Sequence, residues 1–283
     1  MNRRTQRGLL GILKYLAVLT LIVLTLAPVA WLVISSLSSN DDLTRVPLEW
    51  LPKSVDWSRY AELLGSTETA RTFLLALRNS LFVALSATLI LLALSIPAAY
   101  SFSRFADRRS GLLYAVLATY MIPPVALVLP LYALLARVGL LNQAAGLTLV
   151  YCTILTPFTT WLLKTNFDSV PLKIEEAALL DGLNRWGVLW RMTVPLSLPG
   201  VSTAAVWAVL IAWDEFFYAL LFTSSEASKT LPVTIADFAA GRAVDYSLIC
   251  AAGVLAALPP ILIGFMACCL ASPPVASKAE PPL

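Results

Sequence analysis

Residues 175–200 read EEAALLDGLNRWGVLWRMTVPLSLPG and form a largely polar interruption between two long apolar runs. Pro171, just upstream, can open a helix at its first turn, because the N–H that proline lacks has no partner there. The glutamates and alanines at 175–178 follow near the positive end of the helix dipole, and the alanines leave a surface that can be approached closely. The start of this stretch predicts a short helix with one small, accessible face.

The second half of the stretch predicts a bend and another short helix. Gly182 suits a left-handed helix stop, and Asn184 can cap the helix that follows. That helix carries Trp186, Leu189 and Trp190. Pro195 is expected to end it. Two short helices joined by a bend are typical of a docking element.

The whole chain has the composition of a membrane protein. Of its 283 residues, 59% are apolar and 13% are charged, and the mean hydropathy is +0.79. A helix needs about 20 mainly apolar residues to cross roughly 30 Å of hydrocarbon. Six segments meet this requirement: 12–35, 79–101, 111–136, 145–165, 200–222 and 248–270.

These segments predict an all-α, polytopic membrane protein with six transmembrane helices. The longest gap, residues 36–78, is too short for a soluble domain of ordinary size. We expect one transmembrane domain over residues 1–283, with an extracytoplasmic loop at 36–78 and a cytoplasmic loop at 166–199. The gap at 36–78 mixes acidic and aromatic residues, which favours a solvated cap with a short interfacial helix or a contact with a substrate-delivering protein.

The distribution of basic residues predicts a cytoplasmic N-terminus. With that orientation, twelve of the 20 Lys and Arg residues lie inside. These are Arg3, Arg4, Arg7, Lys14, Arg104, Arg108, Arg109, Lys164, Lys173, Arg185, Arg191 and Lys278. They cluster at membrane flanks, so the net charge of +3 predicts contact with the lipid bilayer and no nucleic-acid partner. The alternative for the first apolar segment, 12–35, is a cleaved signal peptide. The segment is longer than the apolar region of a typical signal peptide, which has about 7–15 residues.

Residue types that carry most catalytic and metal chemistry are missing from the chain. It contains no His, and its four Cys have no Cys-x-x-Cys spacing. They are Cys152, Cys250, Cys268 and Cys269, all in or beside apolar runs. We therefore expect no catalytic residues and no bound metal. The chain also lacks a Gly-x-x-x-x-Gly-Lys-Ser/Thr loop, so we expect it to bind no ATP itself.

Two acidic residues, Asp214 and Glu215, lie within the fifth apolar run. Each would cost about 2.5–3.5 kcal/mol if it faced lipid at the bilayer centre, so both should face protein or water. They could accept hydrogen bonds from a solute in a pathway, or they could fix helix packing. We take Trp213, Asp214, Glu215, Phe216 and Tyr120 as candidate pathway residues. Prolines within several runs also predict bends of the kind that line a pathway.

The stretch at 175–200 resembles the EAA loop of the permease subunits of ATP-binding-cassette importers. The family pattern of Glu-Ala-Ala, three residues, Gly, nine residues, Ile, one residue, Leu-Pro has its spacing intact here. It maps onto Glu176, Ala177, Ala178, Gly182, Met192, Val194 and Pro195. Met192 and Val194 depart from the pattern but stay apolar. Further matches indicate the shorter permease of the maltose-type carbohydrate subfamily: Asn79-Ser80, Ser101 to Phe105, Pro123-Pro124, Pro157 to Phe167 and Trp213 to Phe216.

The resemblance implies an importer permease fold that provides half of a pathway for a sugar or related polyol. It implies two ATPase subunits that use ATP and Mg, a second, homologous permease, an extracytoplasmic solute-binding protein and a bacterial or archaeal plasma membrane. The residues expected to couple to the ATPase are Glu175, Glu176, Ala177, Ala178, Leu180, Asp181, Gly182 and Pro195. The Pro-rich tail, residues 272–283, and Asp214, where the family usually has Asn, depart from the family pattern.

Two alternatives remain open at this point. A permease for a polyamine or an anion would share the docking loop. A channel or secondary transporter would need no ATPase, and co-purification with an ATPase subunit would separate it from an importer.

Overall fold

The computed structural model describes residues 3–48, 50–52, 54–240 and 244–271, with no side-chain description for residues 3–10, 12, 106–110 and 268–271. The Pro-rich tail, Lys278 and the side chains of Arg3, Arg4, Arg7, Arg108, Arg109, Cys268 and Cys269 therefore lie outside the described residues. Within the described ranges the regular structure is entirely helical. This confirms the predicted all-α class.

Most of the chain is in long helices, with shorter ones in the connections. The first seven are α1 (Arg3–Ser36), α2 (Asn40–Thr44), α3 (Ser58–Leu64), α4 (Glu68–Arg104), α5 (Ala106–Tyr120), α6 (Pro124–Arg137) and α7 (Ala144–Asp168). Then follow α8 (Leu172–Leu180), α9 (Arg185–Val188), a π-helical turn (Leu189–Thr193), α10 (Val194–Leu196) and α11 (Leu198–Asp214). The last three are α12 (Phe217–Phe222), α13 (Leu231–Phe238) and α14 (Tyr246–Ala271).

Four of these helices are long and apolar enough to cross a membrane unaided: Leu13–Ser36, Glu68–Arg104, Ala144–Asp168 and Tyr246–Ala267. Two bent pairs bring the number to six if each pair counts as one span. They are Gly111–Tyr120 with Pro124–Arg137, bent by 92°, and Arg185–Leu196 with Leu198–Asp214, bent by 82°. The third predicted segment is therefore not one straight helix, because Pro123 and Pro124 break its hydrogen-bond ladder.

Local capping moves several helix boundaries away from the apolar runs. The second span starts at Glu68 rather than 79, because the Thr67 hydroxyl accepts the backbone N–H of Ala70 at 3.0 Å. The last begins at Tyr246, where Asp245 Oδ1 accepts the N–H of Leu248 at 3.0 Å. The apolar pattern marks the part that can lie in lipid, whereas the caps mark where the helix begins.

The described chain divides into two compact units. The first comprises residues 1–74 and 235–257, and the second comprises residues 75–234 and 258–283. In the first unit, Arg59 forms ion pairs with Asp245 at 2.6 Å and Glu62 at 3.0 Å, and Asn40 Oδ1 accepts the N–H of Tyr246 at 3.0 Å. These contacts tie the 36–78 segment, which contains the two short helices α2 and α3, to the start of α14.

In the second unit, α7 is the central helix. Buried residues make up 61% of the most apolar 18-residue stretch of α7, against 39% of the corresponding stretch of α4. A core cluster joins α7 to α4, to the π-helical turn and to α11. Its buried members are Ile96, Ala99, Tyr100, Leu163, Phe167, Leu189 and Ala204. The 175–200 stretch is therefore packed directly on two membrane-crossing helices.

Candidate functional site: the docking loop

The docking loop, residues 171–200, consists of the two predicted short helices and the bend between them. The first helix runs from Leu172 to Leu180, with Pro171 at the capping position rather than inside the first turn. Its end is a Schellman motif, in which Gly182 N–H donates to the Leu179 carbonyl and Leu183 N–H to the Ala178 carbonyl, both at 3.1 Å. Gly182 has φ +91°, in the left-handed region that favours glycine. The predicted helix stop is confirmed.

The second helix of the loop begins as predicted but does not end as predicted. The side chain of Asn184 accepts the N–H of Gly187 at 2.8 Å, which confirms it as the cap. Pro195 does not end the helix, which continues to Leu196. The π-helical turn explains this, since Val194 N–H bonds to the Leu189 carbonyl five residues back and this wider spacing accommodates the proline. The chain turns at Ser197 instead.

A buried ion pair anchors the loop to the membrane helices. Glu175 on α8 and Arg104 at the end of α4 form two hydrogen bonds, at 2.7 Å (Nη2 to Oε1) and 3.0 Å (Nε to Oε2). Their side chains are only 5% and 6% exposed. The Glu175 carboxylate also accepts the Thr193 hydroxyl at 2.8 Å and the Tyr100 hydroxyl at 3.2 Å. We call these four residues the anchor cluster.

The anchor cluster also reaches α7. Arg104 Nη2 donates to the carbonyl oxygens of Phe167 at 2.9 Å and Val170 at 3.3 Å, which lie at the end of that helix. One guanidinium thus joins α4, α7 and α8. Burial raises the pKa of the Glu175 carboxyl, but hydrogen bonds from Arg104 and Thr193 and the Arg104 charge outweigh this and hold the pKa below its ordinary value of 4.5. Glu175 is therefore ionised at neutral pH.

The structure divides the predicted coupling residues into a buried and an exposed set. Glu175 and Ala178 are each 4% exposed and face the interior of the chain. Glu175 is one of the residues expected to couple to the ATPase, and its carboxylate is bonded within the chain by the anchor cluster. The exposed set consists of Glu176, Ala177, Leu180, Asp181, Gly182 and Pro195.

The exposed set has the features of a protein-binding surface. Leu180, a large apolar side chain, is 89% exposed. Beside it, a shallow cavity of about 390 Å³ is lined by Ala177, Ala178 and Asp181, with Lys173, Ile174 and Met192 completing its wall. An exposed leucine next to small residues at a rigidly held helix stop is a surface that a partner can cover.

The sequence did not single out the partners of Glu175. Arg104 was noted for its charge and as part of the Ser101 to Phe105 match, without a role, and Tyr100 and Thr193 were not singled out. The position of Arg104 at the end of a predicted span was the available signal, but its partner lies 71 residues away in sequence.

The candidate pathway residues differ in their contacts and exposure. Glu215 is bound within the chain: its carboxylate accepts the N–H groups of Tyr218 at 2.9 Å and Ala219 at 3.2 Å and the Tyr151 hydroxyl at 2.6 Å. It therefore caps α12, and the expectation of a continuous fifth span over 200–222 is wrong, because helix α11 ends at Asp214. Of the two roles considered for Glu215, helix packing agrees with these bonds.

The other four occupy different environments. Trp213 is 6% exposed, whereas Phe216 is 39% exposed and Asp214 is also exposed. Tyr120 is the last residue of α5, at the 92° bend.

The fold defines a polytopic helical membrane protein, with the docking loop packed on two of its long apolar helices. The sequence profile of the binding-protein-dependent transport system inner membrane components matches residues 91–271. This chain belongs to that family.

Named relatives include sugar transport permeases. The chain is 34% identical over 252 residues to the sulfoquinovosyl glycerol transport system permease protein of Agrobacterium fabrum, covering 89% of this chain and 87% of that protein. It is 34% identical over 228 residues to the trehalose transport system permease protein of Mycobacterium tuberculosis, covering 79% and 81%.

The fold also matches a solved structure. A chain of a bacterial ABC transporter involved in the import of the acidic polysaccharide alginate superimposes with a TM-score of 0.79 at 22% identity, covering 94% of this chain and 97% of that one. The predicted fold is confirmed by this likeness.

Proposed function

We propose that this chain is one of two permease subunits of an ATP-binding-cassette importer and carries a sugar or related polyol across the plasma membrane. The observation that carries the proposal is the arrangement of the docking loop. Its exposed set is open to solvent, while its buried side is fixed by the anchor cluster to two membrane-crossing helices. The family membership and the sugar transport names of the relatives support the choice of solute.

The partners follow from this role. Two ATPase subunits bind and hydrolyse ATP with Mg, one on the docking loop of each permease. The second permease, homologous to this chain, completes the pathway. A solute-binding protein delivers the solute from outside, and a bacterial alginate transporter has been solved in complex with such a periplasmic protein. The chain itself is non-catalytic and binds no cofactor, and its N-terminus lies in the cytoplasm.

Coupling in this arrangement is mechanical. When ATP closes the ATPase dimer, the cleft that holds α8 moves, and α8 moves with it. The bidentate bond between Glu175 and Arg104 transmits that displacement to α4, and the bonds from Arg104 to the end of α7 transmit it to the central helix. Such coupling needs a contact that differs between the nucleotide states, and the exposed set is where this contact forms.

A matched pair of substitutions at Gly182 tests the proposal. Both Gly182→Ala and Gly182→Trp carry the backbone strain of a non-glycine residue at φ +91°, about 1–2 kcal/mol. Apart from Gly182 and its two chain neighbours, no atom of the described chain lies within 4 Å of the position of a Cβ at Gly182. The two variants therefore share the strain and an open Cβ position and differ in the bulk that Trp adds to the exposed set. We expect ATP-driven uptake by the reconstituted transporter to be abolished in Gly182→Trp and largely kept in Gly182→Ala, with both chains inserted in the membrane.

Full uptake by Gly182→Trp would contradict the docking role of this surface. Solute movement at full rate by the purified chain with no ATPase present would contradict the importer as a whole. Thiol labelling of Glu176→Cys from the outside of intact cells would contradict the cytoplasmic position of the loop.

A further inference from the structure

The 92° bend between α5 and α6 forms a pocket in the third apolar segment. Its volume is about 480 Å³, within the range of about 300–1,000 Å³ that is usual for small-molecule sites. Both halves of the broken segment line it, together with α7 and Tyr218 on α12. We call it the bend pocket.

Backbone carbonyls without their usual donors lie at the bend pocket. In an α-helix, each N–H donates to the carbonyl four residues earlier. Pro124 has no N–H to donate to Tyr120, and Pro157, inside α7, has none for Thr153. All four residues line the pocket. Freed carbonyls are tolerated at membrane depth where they are buried in protein or line a water-filled cavity, so those of Tyr120 and Thr153 are candidate acceptors for a ligand that carries several hydroxyl donors.

Aromatic rings supply another part of the wall. Tyr120 is stacked on Phe158 with ring centroids 5.7 Å apart and planes 29° apart, and Phe158 packs on Trp207 at 4.5 Å. These contacts fix the orientation of the Tyr120 ring. At the bend itself, the Tyr218 hydroxyl donates to the Pro124 carbonyl at 3.3 Å, which holds a second ring beside the pocket. Flat apolar rings between hydrogen-bonding groups suit the C–H faces of a sugar.

The charge of the lining side chains indicates which class of ligand the bend pocket can hold. The described residues that line the bend pocket are all Thr, Tyr, Ile, Leu or Pro, so none offers a counter-ion. Burying an unpaired charge is strongly unfavourable, which disfavours an anionic or cationic solute here. We propose that the bend pocket binds an uncharged pyranose ring of the transported solute. This inference rests on the proposed function and makes the chain a substrate-contacting permease, with a neutral sugar as its solute.

Cysteine labelling of the complete transporter tests the inference. The chain carries Thr153→Cys, with Cys152, Cys250, Cys268 and Cys269 replaced by Ser, and is reconstituted with its partner subunits in vesicles. The rate of reaction with a membrane-impermeant methanethiosulfonate is measured alone and with trehalose, maltose, glucuronate or spermidine. Thr156→Cys on the same helix, outside the pocket lining, is the matched control.

The expected result is that Cys at 153 reacts and that trehalose or maltose slows the reaction by about tenfold at a concentration about ten times Kd, with no slowing at position 156. Glucuronate and spermidine should leave both rates unchanged. No reaction at 153, slowing only by a charged solute, or slowing by none of the four would overturn the inference. ATP-driven uptake by the same vesicles separates the two proposals: if uptake persists while the labelling test fails, only the bend pocket is refuted.

Discussion

Removal of the Glu175 carboxylate should destabilise the chain far more than removal of its neighbour Glu176. Glu175→Ala leaves Arg104 buried with its charge unpaired and removes four hydrogen bonds, two of them to the guanidinium. Breaking a buried ion pair in this way costs about 3–5 kcal/mol. Glu176 is exposed, so Glu176→Ala should change stability by no more than about 0.5 kcal/mol.

Thermal unfolding in detergent can measure this difference through a thiol-reactive dye. Cys152 is 6% exposed and becomes reactive only when the second unit opens, once the other three cysteines are replaced by Ser. A loss of 3–5 kcal/mol corresponds to a Tm lower by about 10 °C, given roughly 2–4 °C per kcal/mol for 150–250 residues. Glu176→Ala should shift the Tm by less than about 2 °C.

A double variant separates the ion pair from general damage to the loop. Arg104→Met combined with Glu175→Leu removes both charges, and replacing a buried pair with apolar side chains of similar size is often neutral. The Tm of the double variant should therefore lie well above that of Glu175→Ala. Equal Tm values for Glu175→Ala and Glu176→Ala would refute the anchor cluster. So would a double variant whose loss of stability equals the summed losses of Arg104→Met and Glu175→Leu made singly.

Three further predictions follow from the second unit. The stability advantage of wild type over Glu175→Gln should be complete above pH 4.5 and should vanish as the pH falls through the lower folded-state pKa, which unfolding from pH 7 to pH 3 would show. In Gly200→Ala, the added Cβ would overlap the Asn166 side chain, so overpacking should cost about 1–3 kcal/mol in the same dye assay. Glu215→Leu removes the α12 cap and the partner of Tyr151, so it should destabilise by about 1–3 kcal/mol, and unchanged uptake per folded transporter would confirm that its role is structural.

Local signals made much of the docking loop predictable from the sequence. Gly182 and Asn184 act through the backbone within three or four residues of themselves, so their roles can be read without tertiary information. The prediction that Pro195 ends the second helix of the loop was wrong for the converse reason. Whether proline ends a helix depends on the spacing of the preceding turn, and a π-helical turn gives no clear sequence signal.

The anchor cluster could not be predicted, because its bonds join residues far apart in the chain. Arg104 and Glu175 are 71 positions apart and Tyr100 and Glu175 are 75. The sequence left two roles open for Glu215 for a related reason. An acidic residue in an apolar run indicates a protected environment, but only the fold shows that this environment is the start of another helix.

The π-helical turn at Leu189–Thr193 makes the loop sensitive to length. Each residue of an α-helix advances the chain by about 100° around its axis. Deletion of a single residue here would restore ordinary helical spacing with little rotation, but Pro195 would then clash with the carbonyl four residues before it. Insertion of a single residue would rotate α9 relative to α10 by about that angle, which would carry Thr193 away from Glu175. Point substitutions that keep volume should therefore be tolerated in this turn, whereas an in-frame insertion of one codon should disconnect the docking loop from the membrane helices.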